Sequence, residues 1–318
     1  TKFKEQKWIP FSPAVKDALS IPGIPMGHVA IARGGSDTGK TTLMIETAVS
    51  AQKMGILPVF IITEMKWDFA HAQTMGLELD AVPDEETGEV INYKGFFIYV
   101  DRSSLNTIED VSAFIADTLN DQAKGKLPYD LLFLWDSVGS VPCKMTFEGK
   151  GGKQHNASTL ADKIGMGINQ RISGSRKSDS KYENTLVIVN QPWVELPDNP
   201  FGQPKIKAKG GEAIWLNSSL VFLFGNQKGA GTNKITATKD KRSVKFAIRT
   251  KVSVMKNHIN GLGYDDGKII VTPHGFIGGK EASEEKTSLE KYKKEYADYW
   301  KDIIGTDGDF DLKEEKED

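Results

Sequence analysis

Gly34-Gly35-Ser36-Asp37-Thr38-Gly39-Lys40-Thr41 is the stretch on which the reading of the fold turns. Its glycine spacing and closing Gly-Lys-Thr meet in full the pattern of a loop whose backbone N–H groups turn inward around phosphates. The neighbours agree with this. The apolar, β-branched run His28–Arg33 reads as a strand leading in, and the amphipathic stretch Lys40–Met54 reads as a helix leading out, stopped by Gly55. Lys40 is then placed to reach the β- and γ-phosphates, and the Thr41 hydroxyl to ligate Mg²⁺, with Thr42 closing the first helical turn. The ligands expected are ATP and Mg²⁺.

Working outward, further short apolar runs at Pro58–Thr63, Gly95–Val100, Asp130–Asp136, Thr185–Asn190 and Ser219–Phe224 read as strands. Helical patterns at Thr107–Gln122 and Ser158–Lys177 are long enough to serve as crossovers between parallel neighbours. The expected fold is α/β, a P-loop NTPase core with a mostly parallel central sheet. Alternating polar and apolar residues through Ser243–Met255, then Lys268–Thr272, predict antiparallel strands extending one edge. From Thr287 a helix is expected, opened by a capping box of Thr287 and Glu290, with Leu289, Tyr292, Tyr296, Tyr299, Trp300 and Ile303 on one face. The stretches 147–157 and 192–211 read as two long loops, of the kind that usually carry function.

Of the 318 residues, 39% are hydrophobic and 26% charged, which describes a globular chain and not a disordered one. No apolar run approaches the roughly 18 residues of a membrane span, so no membrane partner is expected. The first residues lack the h-region of a secretory signal, and the single Cys143 suits a reducing compartment as a small buried hydrophobe. A cytoplasmic location is expected. The net charge of −2 divides unevenly: residues 307–318 carry −5 and the remainder +3. Nine Lys or Arg stand against the single acid Asp240 within residues 226–260. Charge alone fits either a solvated hairpin or a polyanion partner. The acidic residues beyond Gly305 read as disordered.

Two acids complete the candidate site. Asp136 ends the buried run Leu131–Trp135, at the strand end where ligands of such sheets collect, and is the candidate second metal ligand. Glu64 stands just past Pro58–Thr63, where a base for an attacking water is needed; a solvated surface glutamate is the competing reading.

With these residues located, the chain resembles the RecA family of DNA strand-exchange ATPases, phage UvsX-like members included, over roughly residues 12–278. The likeness rests on Pro22-Gly23-Ile24-Pro25-Met26-Gly27, on the strand ending at Glu64, on Leu134-Trp135-Asp136-Ser137, on Asn184-Thr185-Leu186 through Asn190-Gln191, and on Phe201-Gly202-Gln203-Pro204 with Gly210-Gly211. The resemblance implies that Gln191 senses the γ-phosphate and that two segments bind DNA. The first holds Lys144, Lys150 and Lys153. The second holds Trp193, Phe201, Lys205, Lys207, Lys209, Gly210 and Gly211, joining cations for phosphates to aromatic surface for bases. Lys256-Asn257-His258 falls where the family presents two lysines to a neighbouring subunit's ATP. The histidine is expected to hold phosphate more weakly and with pH dependence.

What the resemblance implies is an ATPase with Lys40, Glu64, Asp136 and Gln191 in the reaction. It would form a homo-oligomeric filament on single-stranded DNA and pair it with homologous duplex, alongside single-strand-binding and mediator proteins. The segments expected are an N-terminal arm over 1–21 able to lend Phe3, Trp8, Ile9 and Phe11 to a neighbour or to its own core, the ATPase core over 22–279, a C-terminal helix over 280–306 and the acidic tail over 307–318. Short flanking regions suggest a phage source. A hexameric helicase on the same core and a non-catalytic, ATP-switched DNA-coating mediator are the rival readings.

Overall fold

Six runs rich in Val, Ile, Leu and Phe become strands of one sheet, five of them almost wholly buried and the sixth, Ile98–Asp101, half-buried at its edge, in the computed structural model, which describes residues 2–195, 205–208, 212–225, 232–278, 282–305 and 310–315. In chain order they are β1 (Val29–Gly34), β2 (Leu57–Ile62), β3 (Ile98–Asp101), β4 (Leu131–Val138), β5 (Thr185–Asn190) and β6 (Leu220–Phe224). All pair in parallel, in the order β6-β1-β5-β4-β2-β3. The boundaries fall within a few residues of those expected from the sequence.

Alternation along each strand feeds two cores. Val29 and Ile31 of β1, with Phe133 and Trp135 of β4, join the helix Ile108–Ala123 and the helical stretch from Lys153 to Gly174 on one face. Ala30 and Ala32, with Leu132 and Leu134, join the helix α1 (Lys40–Lys53) on the other. The alanines of β1 leave room for Leu43, Met44 and Ala48 of α1 to lie close to the sheet. Trp135 is wholly buried and its indole N–H donates to the Thr63 hydroxyl at 3.0 Å, so this donor is not stranded.

Beyond β6 the sheet continues antiparallel with β8 (Arg242–Asn257), β9 (Gly267–Thr272) and β10 (Gly275–Ile277), while β7 (Thr232–Lys239) pairs with β8. This is the antiparallel extension that the alternating pattern predicts.

The C-terminal region departs from expectation. Its first helix runs Ala282–Glu295, so Thr287 lies inside it and the capping box does not open it; a second helix, Ala297–Ile304, follows a break at Tyr296. The acidic tail is not a free polyanion either, because Asp311–Glu315 forms β11 and pairs antiparallel with β7. The reason is the pair of apolar residues set among its charges: Phe310 is buried and Leu312 packs beside it, against the layer of Phe246, Tyr292 and Trp300. Deleting residues 307–318 would therefore remove part of a packed core as well as charge.

One other expectation is corrected. The stretch from Lys144 to Ala157 is largely helical, as Lys144–Phe147 and Lys153–Leu160, the latter continuing into a wider π-helical segment, Ala161–Ile168. The N-terminal segment packs on its own core: Trp8–Pro10 pairs with Gly23–Pro25, Ile9 is fully buried, and Phe11 meets Phe222 edge-on at 5.7 Å. Phe3 stays exposed, beneath the Arg176 guanidinium. Cys143 is buried, as the sequence suggests. No helix among the described residues is long and apolar enough to cross a membrane.

His28, just before β1, is buried between the Ser219 hydroxyl on Nδ1 (2.8 Å) and the Gln6 side-chain oxygen on Nε2 (3.0 Å). Burial, helped by the Arg176 charge, brings its pKa down to about 4 from 6.5. The unfolded chain takes up a proton below 6.5 while the folded one does so only near 4, so stability is complete above 6.5 and falls as the pH drops through that window. The urea midpoint is expected to decline between those two pH values in the parent and to decline less in His28→Gln; identical slopes would exclude the histidine as the cause.

Candidate active site

Parallel pairing sets the site by register. Gly34 at the end of β1 lies beside Phe224 of β6, Arg33 beside Asn190 of β5, and Asp136 of β4 beside both Val189 of β5 and Ile62 of β2. Glu64 and Gln191, just past β2 and β5, therefore come to the same carboxyl edge as the loop Gly35–Gly39. Together they line a cavity of about 520 Å³ with Ser36, Thr38, Lys40, Thr41 and Thr42.

The loop depends on its glycines. A β-carbon at Gly34 would run into the Phe224 carbonyl; at Gly39, where φ is +99°, it would come within 2.8 Å of the Phe276 ring and 2.9 Å of Val271. Asp37 also takes a positive φ of 58°. The Thr38 hydroxyl donates to the Gly35 carbonyl at 3.0 Å, and Lys40 Nζ donates to the same oxygen.

Burial lowers the Lys40 pKa to about 8, against the opposing pull of Asp136, Glu64 and Asp37. Burial raises that of Asp136, against the Thr41 hydrogen bond. Each charge is thus held in a poor dielectric, where a polyphosphate and a cation would stabilise both.

Thr41 Oγ1 donates to Asp136 Oδ2 at 2.8 Å. Two hard oxygens side by side at the mouth of a phosphate loop fit Mg²⁺, which draws most of its ligands from phosphate and water. Among the described residues no cluster of three or more His, Cys, Asp or Glu could hold a metal by protein ligands alone.

Glu64 is not loose on the surface. Ser137 Oγ donates to one of its oxygens and Gln191 Nε2 to the other, at 3.4 Å. The Thr63 hydroxyl, which accepts from Trp135, also accepts from Ser140 at 2.6 Å and donates to the Ser137 carbonyl at 3.2 Å, tying the ends of β2 and β4 together. Ser137 was foreshadowed by its place after Asp136. Of the further lining residues, Lys66, Trp67 and His71 follow Glu64 closely in the chain, while Lys245, Pro273 and Tyr299 arrive from distant segments that no spacing connects to the loop.

The second expected DNA segment begins next to the site, and the first follows β4. Directly after Gln191, Pro192–Glu195 pairs with Lys205–Ala208 as a hairpin, with Trp193 opposite Lys207 and Glu195 opposite Lys205. Phe201, Lys209, Gly210 and Gly211 lie outside the described residues. Lys144 and Lys153 each open a short helix, and Lys150 pairs with Glu148 at 2.9 Å.

Lys256 and His258 are not brought to this chain's own cavity. Lys256 lies beside Val221 of β6, its ammonium donating to the Trp215 and Leu216 carbonyls at 2.7 and 2.8 Å; the His258 N–H bonds the Ser219 carbonyl. That is the amino end of β6, opposite the loop.

Residues 7–117 match the family model of the RecA N-terminal domain. The chain is 26% identical over 253 residues to Protein RecA of Desulforapulum autotrophicum, covering 77% of this chain and 59% of that protein. It is 26% identical over 249 residues to Protein RecA of Geobacter sulfurreducens, covering 76% and 60%. Against Protein RecA of Rhodospirillum rubrum it is 29% identical over 247 residues, covering 76% and 55%. The chain thus spans less than two thirds of the length of these curated relatives.

Gly39→Ala combines a left-handed backbone with a clash against Phe276 and Val271. It is expected to cost about 1–3 kcal/mol of stability, read from urea denaturation; an unchanged midpoint would show that the loop refolds around the added methyl.

Proposed function

We propose that this chain, a member of the RecA family, is an ATP-dependent recombinase that forms filaments on single-stranded DNA, hydrolyses ATP and pairs the bound strand with homologous duplex. The observation that carries the reading is the Gln191–Glu64 hydrogen bond. It joins the group best placed to act on water to the residue that precedes the paired strands Pro192–Glu195 and Lys205–Ala208, so a change at the nucleotide has a direct route to a segment bearing Trp193, Lys205 and Lys207.

The chemistry asked of the protein is mainly positioning and charge stabilisation. The loop's N–H groups hold the polyphosphate, and Lys40 leaves its bond to the Gly35 carbonyl for phosphate oxygens. Bound to Thr41 and Asp136, Mg²⁺ would supply charge compensation on those oxygens. Glu64, steered by Ser137, orients a water and takes up its proton. Gln191 shifts its hydrogen bond between Glu64 and the terminal phosphate, passing the state of the nucleotide to the hairpin.

Lys256 and His258 lie at the far end of the sheet from their own loop, so their contribution is to a neighbouring copy's nucleotide. The ATPase core is assigned to residues 22–279. The curated relatives described above bear the name RecA, which favours the recombinase over the helicase and the mediator.

ATP turnover with and without single-stranded DNA, alongside electron microscopy with a non-hydrolysable analogue, tests this. Helical filaments and DNA-stimulated hydrolysis are expected. Glu64→Gln should lower the stimulated rate by roughly 10²–10⁴ while nucleotide binding persists, and Gln191→Ala should make turnover indifferent to DNA. Closed rings, or parent turnover that ignores DNA, would overturn the reading.

A further inference from the structure

Glu46 is a half-buried carboxyl on α1 that lies outside the lining of the phosphate cavity and has no part in the chemistry above. Its two oxygens are divided between segments far apart in the chain. Oε1 accepts the Phe276 backbone N–H at 2.7 Å, and Oε2 accepts the Ser12 hydroxyl at 2.7 Å. Burial raises its pKa against the pull of both hydrogen bonds, a desolvation cost that a hydrocarbon side chain at this position would not carry.

The backbone on both sides is arranged around this carboxylate. Ser12 stands at the N-cap of the helix Pro13–Leu19, where a serine oxygen ordinarily accepts from the first helical N–H groups. Here it makes no cap bond, and its hydroxyl goes to Glu46 instead. Gly275, at φ +114°, leaves the space that the carboxylate enters, since a β-carbon there would come within 2.6 Å of Oε1. Phe276, held by that bond, braces the loop at both of its ends. Its ring borders Gly39 directly, and it stacks at 6.2 Å on Phe224, the residue whose carbonyl borders Gly34.

We propose that Glu46 is a positioning residue of the phosphate loop: its carboxylate fastens the N-terminal segment and the β9–β10 hairpin to α1, holds Phe276 against Gly39, and thereby sets the affinity for the phosphates of the nucleotide. It acts through Phe276 and not on the nucleotide itself. The N-terminal segment, already paired with Gly23–Pro25 through Trp8–Pro10, is joined to the loop by this one side chain. The inference rests on the reading of the phosphate loop as an ATP site.

Calorimetric titration of the full chain with a non-hydrolysable ATP analogue and with inorganic tripolyphosphate, at a temperature where circular dichroism shows each variant folded, reads the loop directly. Glu46→Ala is expected to weaken both ligands by the same factor, roughly ten-fold, and to raise KM for ATP while kcat at saturation is kept. Glu46→Gln, whose amide can accept from Phe276 and donate to Ser12, should hold affinity near that of the parent. Ser12→Ala should cost part of the loss in the parent and nothing further in Glu46→Ala, because the two residues act through one bond. Parent affinity in folded Glu46→Ala, with only a lower melting temperature, would overturn the assignment, as would Glu46→Gln binding as weakly as Glu46→Ala. If Glu46→Ala does not fold, Ser12→Ala decides alone, and unchanged affinity for both ligands overturns the proposal. A parent that binds neither ligand removes the ATP reading, whereas normal parent binding with unaltered variants removes this inference only.

Discussion

Parallel pairing of β1, β2, β4 and β5 is the constraint from which the rest follows. Strands that run the same way deliver their carboxyl ends to one edge, and each carries its polar residue just where its buried run stops. The inner residues of these strands cannot face water on either side, so the register is held by two cores at once. A one-residue slip of β4 would turn Leu132 and Leu134 towards the Ile108–Ala123 face and carry Asp136 away from Thr41. Packing and the geometry of the candidate site are therefore one constraint, enforced by apolar side chains of the two cores.

At that edge burial works in the opposite sense. Lys40 and Asp136 are charged groups held in a medium that disfavours their charge, with pKa values displaced towards neutrality. The cost is tolerated because the groups oppose one another and because a polyphosphate with its cation would satisfy both. The hydrogen bonds from Ser137 and Gln191 to Glu64 have a different purpose: they fix the direction of a carboxylate whose usefulness depends on where it points.

The antiparallel half of the sheet is held by aromatic packing instead. Phe246 of β8 meets Tyr292, Trp300 and Phe310 from three separate segments, and the Arg249–Glu285 ion pair, largely shielded from solvent, ties the first C-terminal helix to the same strand. This layer reaches the nucleotide cavity through Tyr299 and through the β9–β10 hairpin, so the C-terminal unit is joined to the site without belonging to the parallel core.

Local chemistry made the parallel core readable. A buried strand needs a short apolar run whatever lies beside it, and a phosphate loop needs its glycines, lysine and threonine in consecutive positions, so β1 to β6, α1, Lys40, Thr41 and Asp136 were all determined by residues close in the chain. The acidic tail misled because charge dominates its composition, while Phe310 and Leu312, two side chains among many acids, decide its pairing with β7. The Thr287 capping pattern misled because docking of the helix on β8 overrides a local cap. Ser137 and Gln191 converge on Glu64 from different strands, and Tyr299 meets the cavity more than 250 residues after the loop. No spacing rule connects such residues, since what unites them is the order in which strands pair and the layer that folds back over them.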